Sequence, residues 1–336
     1  MRAGRYAVAA TAILVVAGCG ETQNSLAPAS HQARDIASLF WWMMGGAWIG
    51  LAVVVGLLLV AWRRRDRGGV GRPGVDEQAA ERRGWFVVLG AGMALPIAIL
   101  AVLFVISDVF VIRATQAPAA GTSRLTVTVI GHQWWWEIRY PGTQVVTANE
   151  LHIPVRTRVR VEVRTADVIH SFWVPELNRK IDAIPDQTNA VELSADAPGG
   201  YRGQCAEFCG VQHAHMALEV VAQTPAAFRR WLSDQARPAA PPGTSAARRG
   251  ERIFTTAGCR SCHTIRGTSA RGDVGPDLTH LAGRRTLGAL TLPNTPRYLR
   301  SWIAGSQEVK PGNDMPNFVL GPGGLDDIVA YLEGLR

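Results

Sequence analysis

Two long apolar runs, residues 40–62 and 85–112, constrain this chain more than anything else in it. The first carries no charged residue, and the second only Asp108, towards its far end. At about 1.5 Å of rise per residue, either run is long enough as a helix to cross roughly 30 Å of hydrocarbon. A buried helical hairpin of a soluble protein would not need such lengths. Trp41, Trp42 and Trp48 lie towards one end of the first run and Trp62 at the other, as in interfacial aromatic belts. The connecting stretch, 63–84, holds Arg63, Arg64, Arg65, Arg67, Arg82 and Arg83. Short loops rich in Lys and Arg stay on the cytoplasmic side, so both ends of the chain belong outside.

The N-terminus agrees independently. Arg2 and Arg5 precede a mostly apolar stretch, 7–17, and Val16-Ala17-Gly18-Cys19 reads as a small-residue cleavage site. Residues 1–18 are therefore expected to be a signal peptide and 19–39 an external segment. The tetrad resembles a bacterial lipobox, which would make Cys19 the lipidated first residue of the mature chain. The plainer alternative is an ordinary signal peptide with an incidental cysteine.

Beyond residue 123 the pattern turns to period two. Leu125-Thr126-Val127-Thr128-Val129 and Val155 to Val163 alternate apolar and polar side chains, and 217–221 reads similarly. Short strands broken by Pro, Gly and Asn suggest a small β-sandwich or barrel over 123–222. Residues 224–235 look helical, with Phe228, Trp231 and Leu232 on one face. Residues 236–247 form a Pro/Ala-rich linker, expected to be semi-extended and not to pack. The last part, 248–336, reads as a separate helical unit.

The chemistry sits in two short motifs. Cys205, Glu207, Cys209, His213 and Met216 fall within C-A-E-F-C-G-V-Q-H-A-H-M. Thiolate, thioether and imidazole together select copper. Two cysteines four apart, without a second pair nearby, do not give the usual tetrahedral zinc spacing. Two such sulfurs can instead bridge two coppers. Cys259-Arg260-Ser261-Cys262-His263 is C-x-x-C-H, the attachment signature of c-type haem. Cys259 and Cys262 would carry the haem, and His263 would be its proximal ligand. Met315, followed by Pro316, is the only methionine after that motif and the natural distal ligand. The 5 cysteines are thereby all placed, with none left for a structural disulfide. The net charge of +8 lies largely in arginine clusters beside the apolar runs and at 248–249, which argues against nucleic acid as a partner.

The chain resembles subunit II of the haem–copper cytochrome c oxidases with a cytochrome c domain fused at its C-terminus. Besides the copper loop, the likeness includes Gly131-His132-Gln133-Trp134-Trp135-Trp136, Asp167-Val168-Ile169-His170-Ser171-Phe172 and Asp182-Ala183-Ile184-Pro185. The resemblance implies a two-helix transmembrane hairpin, a cupredoxin-like β-sandwich or barrel, and an all-α cytochrome c domain. It implies a dinuclear copper centre, CuA, bridged by Cys205 and Cys209. His170 and Met216 would complete one copper, and His213 with the Glu207 carbonyl the other. The Glu207 side chain would serve a magnesium ion at the contact with subunit I. Trp134 would pass electrons to CuA, although three adjacent tryptophans also read simply as buried surface. His132 and His215 are not expected to be ligands. Gly275-Pro276-Asp277-Leu278 implies a proline carbonyl orienting the haem histidine. Glu81 lies too early and Asp108 on the wrong face for a proton path, so none is assigned.

The function so implied is to accept electrons from cytochrome c or a quinol–cytochrome c reductase through haem c. CuA would deliver them to subunit I, beside subunit III, for reduction of oxygen to water with proton translocation. The place would be a bacterial inner membrane, multi-pass, with both redox domains on the periplasmic face. The nearest rival is the donor subunit of a CuA-containing nitric oxide reductase, against which the fused haem argues. Nitrous oxide reductase would need more histidines, a copper-delivery protein needs no haem, and a quinol oxidase would lack the copper ligands.

Overall fold

The computed structural model describes residues 23–65, 77–113 and 115–336. The signal peptide, Cys19 and residues 66–76 of the basic loop lie outside the described residues. Residues 34–115 form one compact unit, and 116–336 with the segment up to Ala33 the other.

Helix α1 (His31–Arg65) is unbroken and lies in the first unit from Arg34 on. It begins well before the expected 40 because Ser30 caps it, its Oγ accepting the Ala33 N–H at 3.0 Å. Arg63, Arg64 and Arg65 occupy its last turn, where cations complement the helix dipole. The second apolar run is helical but irregular: α2 (Glu77–Leu89), a π-turn over Gly90–Ala94, α3 (Leu95–Ile106), and a second π-turn over Ser107–Ile112. Pro96 sits in the first turn of α3. Its missing N–H breaks the regular ladder, and the π-turn absorbs the mismatch. Both runs have mean hydropathy above 2 (2.3 and 2.6), and neither apolar stretch is buried within the chain. Side chains such as Trp42, Leu58 and Phe104 are outward-facing, as lipid-exposed helices require.

The second unit opens with a β-sandwich. One sheet has the order β3-β2-β1-β5-β8 and the other β4-β10-β9-β6-β7. The first is built from β1 (Leu125–His132), β2 (Trp135–Arg139), β3 (Val146–Ala148), β5 (Val159–Thr165) and β8 (Asn189–Leu193). The second uses β4 (Glu150–Pro154), β6 (His170–Trp173), β7 (Ile181–Ala183), β9 (Gly199–Cys205) and β10 (Ala217–Gln223). Pairs β1–β5 and β4–β10 are parallel, the others antiparallel. Between the sheets lie Trp136, Ile138, Leu151, Val161, Phe172 and Leu218, all essentially inaccessible. The period-two run from Val155 is shorter than its pattern promised. Pro154 ends β4 in one sheet, Arg156 turns at φ +52, and β5 starts at Val159 in the other.

Helix α4 (Pro225–Gln235) closes one end, capped by Thr224, whose Oγ accepts the Ala227 N–H. Its Trp231 stacks on His152 at 3.9 Å and meets Tyr140 edge-on at 5.3 Å.

The linker that follows does pack, contrary to expectation. Arg266 donates to the carbonyls of Gln235 and Ala236, the Ala239 N–H donates to Arg266 O, and His280 Nε2 bonds Arg237 O. A Pro-rich stretch makes no bonds within itself, so its free carbonyls were available to those side chains.

The helical part contains α5 (Ser245–Thr256), α6 (Cys259–Cys262), the small strands β11 (Thr286–Leu287) and β12 (Leu292–Pro293), α7 (Pro296–Ala304), α8 (Ser306–Val309) and α9 (Gly324–Leu332). Helices α5 and α9 cross closely at Gly250, where a Cβ would lie 2.0 Å from Asp327 O. Phe254, Leu299, Ile303, Ile328 and Leu332 form its core.

Candidate functional site

Strand pairing assembles the first site. Cys205 ends β9 and pairs with Phe172 of β6, which places His170, the first residue of β6, alongside it. The loop from β9 to β10 is closed at its neck by Cys205 N–H donating to Met216 O at 2.9 Å, and anchored by Ala206 N–H to Ser171 O. Within it the soft donors converge. Cys205 and Cys209 Sγ lie 3.8 Å apart, and Cys209 Sγ is 3.7 Å from His213 Nδ1 and 3.8 Å from Met216 Sδ. Cys205 Sγ is 3.9 Å from His170 Nδ1 and 3.2 Å from the Glu207 carbonyl. Cys205, Cys209, Met216 and His170 are buried, His213 is half-buried, and the Glu207 side chain points to solvent.

This donor set fits copper: two thiols central, one imidazole on each, a thioether and a carbonyl at the margins. The contact with Cys209, helped by His170, holds the Cys205 thiol well below the usual thiol range. The same contact, with burial, pushes Cys209 up. His215 points elsewhere, its Nδ1 paired with Gln212, and His132 pairs with Glu137, so neither joins the cluster.

Asp167 is a member that sequence reading left without a role. Its Oδ1 lies 2.7 Å from His170 Nε2, so the imidazole donates there and turns Nδ1 towards the sulfurs. Burial alone would raise the Asp167 pKa, but hydrogen bonds from His170 and the Gln133 N–H outweigh it and hold the carboxyl below its usual value.

The second site is a crevice of about 370 Å³ lined by Cys259, Cys262, His263, Pro276 and Met315. His263 Nδ1 donates to Pro276 O at 2.8 Å, leaving Nε2 free. Desolvation lowers the pKa of that imidazole and favours its neutral form. Gly275 is a cradle for the ring: a Cβ there would lie 2.6 Å from His263 Cε1. The buried Nε of Arg284, in the same wall, has no hydrogen-bond partner among the described residues. An apolar crevice with two thiols, an accessible imidazole nitrogen, a thioether and a guanidinium whose Nε lacks a partner while its Nη2 holds Asp277 O fits a covalently attached haem with its propionates. Gln133, Trp134, Trp135 and Asn149 of the sandwich supply part of the crevice wall. Trp134, 8 % exposed, also donates its indole N–H to Cys209 O at 2.9 Å. It therefore touches both sites.

Residues 142–223 match the family described as cytochrome c oxidase subunit II, periplasmic domain, and 247–336 match cytochrome c. A cytochrome c oxidase subunit 2 of Alkalihalophilus pseudofirmus is 30% identical over 343 aligned positions, covering 99% of this chain and 97% of the relative. The chain belongs to the cytochrome c oxidase subunit 2 family. That of Bacillus subtilis is 26% identical, with 96% and 95% covered. The solved periplasmic domain of subunit II from Bradyrhizobium japonicum is 32% identical over 34% of this chain and 94% of that one, with a TM-score of 0.33. This subunit 2 is thus part of a haem–copper oxidase, a membrane protein with a periplasmic domain and a role in electron transfer. Its two domains imply copper and haem, and its fold is the expected succession of apolar helices, cupredoxin-like β-domain and helical cytochrome.

Proposed function

We propose that this subunit takes electrons from a cytochrome c, or directly from a quinol–cytochrome c reductase, and delivers them by its own haem and a dinuclear CuA to subunit I. There oxygen is reduced to water with proton translocation, in a bacterial inner membrane where subunit III is a further neighbour. Residues 123–222 would form the copper domain and 248–336 the haem domain, both on the periplasmic face. The observation that carries the reading is the convergence of Cys205, Cys209, His170, His213 and Met216 beside a crevice that shares Trp134 with them.

When bound, the haem and the copper pair supply one-electron carriers that change charge without making or breaking bonds. The chain's residues do the remainder. Cys259 and Cys262 would hold the haem covalently, and His263 and Met315 would be the residues that bind its iron, a His/Met pairing that would raise its potential. Pro276 sets the His263 tautomer, and Asp167 does the same for His170. Closure of the loop at Cys205 and Met216 restricts ligand movement between oxidation states. Trp134 excludes water from the shared wall and places an aromatic ring between the centres. The exposed Glu207 carboxylate is available to a magnesium ion completed by subunit I, a hard ligand for a hard cation.

The test is metal content. The purified subunit should carry two coppers and one haem iron per chain and show a mixed-valence copper spectrum. Cys209→Ser should abolish that spectrum while leaving the haem bands. A single zinc, or one copper per chain, would overturn the assignment.

A further inference from the structure

One buried cation is explained by neither metal nor haem binding. Lys310 follows α8 in the cytochrome domain and is 2% exposed. Its Nζ donates to Trp134 O at 2.6 Å, His215 O at 2.9 Å and Gly288 O at 3.1 Å. An ammonium has three protons, and here each has a carbonyl. Two of those carbonyls belong to the copper domain and the third to the cytochrome domain. Burial pushes the Lys310 pKa down to about 7. The three acceptors oppose that push, because only the protonated amine satisfies them all.

The neighbours of Lys310 face the same way. Pro311 O accepts Gln212 Nε2 at 2.8 Å. Gly312, at φ +83, passes so close that a Cβ would lie 3.2 Å from Val211 and 3.8 Å from the Trp134 ring. The turn is also wired to the distal side of the crevice. Asn313 Nδ2 donates to Lys310 O at 2.7 Å, and Gln307 Nε2 donates to Asn313 O and Met315 O at 2.6 and 2.8 Å.

We propose that Lys310 is a positioning residue that fastens the cytochrome domain to the copper domain through Trp134 and His215, and thereby holds the Met315 loop against Trp134. What this contact serves rests on the function proposed above; the fastening itself does not. A side-chain ion pair across the seam, Arg285 to Glu219, is exposed on the arginine side and open to screening by salt. The Lys310 contact is not.

The seam has a built-in reporter. The Arg285 backbone N–H donates across it to Glu150 Oε1 at 2.6 Å. Hydrogen exchange is followed by mass spectrometry on the full subunit within the purified oxidase. It is run at about pH 6, where Lys310 is charged. Lys310→Met keeps the length and apolar stem but leaves two carbonyls across the seam without a donor. Exchange at Arg285 should quicken about thirtyfold, while the β5 core around Val161 stays as in wild type. Glu219→Gln should quicken it no more than about threefold. Unchanged exchange at Arg285 in Lys310→Met overturns the proposal. If that variant also loosens Val161, Gln212→Ala decides: it removes a bond across the seam without touching a charge. Faster exchange confined to the Arg285 region sustains the proposal, and wild-type exchange there refutes it. Metal content judges the copper and haem assignment separately, so the two can fail independently.

Discussion

Gly210 of the copper loop offers the sharpest test of how that loop is held. Its φ is +115, a conformation that side-chain-bearing residues avoid, and an added Cβ would lie 2.9 Å from Trp134 Cζ2 and 3.1 Å from Gln133 Nε2. Forcing alanine into such a backbone costs about 1–3 kcal/mol. Relieving a contact that short against a packed ring costs roughly 1–3 kcal/mol more, part of it as the weakened bond from Trp134 to Cys209 O. Gly210→Ala should therefore destabilise the copper domain by about 3 kcal/mol. With a guanidinium dependence of roughly 3 kcal/mol per molar, the midpoint falls by about 1 M. Copper absorbance reports this domain separately from the haem, as a chain of several domains requires. Gly199→Ala is the control, since its Cβ would meet only the Tyr201 ring at 3.9 Å, an ordinary contact. Its midpoint should move by no more than the equivalent of about 0.5 kcal/mol. A Gly210→Ala midpoint equal to wild type would mean that neither the backbone strain nor the Trp134 contact is present.

Met315→Leu should keep the haem attached, since Cys259 and Cys262 hold it, but lower its potential in a redox titration; an unchanged potential would remove Met315 as axial ligand. Burial, with Glu251 nearby, raises the Tyr331 hydroxyl to about 12 from 10.0. The unfolded chain then gives up this proton first. Stability of the cytochrome domain should be complete below about pH 10 and fall by roughly 2–3 kcal/mol as pH rises to about 12. Tyr331→Phe should flatten that slope in haem-monitored unfolding, and a slope identical to wild type would contradict it.

How much of this could be read from residues alone follows from where each contact arises. The copper loop was legible because its donors are close in sequence and chemically unusual together. His170 lies far from them in sequence and was visible only through a family motif. Asp167, Arg284 and Lys310 were not legible as functional. Each is a common residue type, and its role comes from tertiary neighbours: an imidazole three residues on, a crevice wall, two carbonyls of another domain. The misread strand has a similar cause. Alternation reports that one face of a segment is buried, as in β5, but it does not mark where a strand begins, and β4, buried on both faces, lies just before it in the other sheet. The change of sheet is made between Pro154, which ends β4 just before the period-two run, and Arg156, whose positive φ falls inside it. The linker was misjudged because composition describes what a segment can do for itself, and its partners, Arg266 and His280, lie in the domain beyond it.

Arg266 splints both the end of α4 and the start of that linker, which alters what kind of problem the cytochrome–copper contact is. Two free proteins must give up translational and rotational freedom to meet, a cost of several kcal/mol that only a sizeable interface offsets. Here that freedom is lost once, when the chain folds. A few well-placed contacts at Trp134, Gln212 and Glu150 are then enough, and substitutions among them act on stability rather than on affinity. Natural selection at this seam works on a fold, where in two separate proteins it would work on a recognition event.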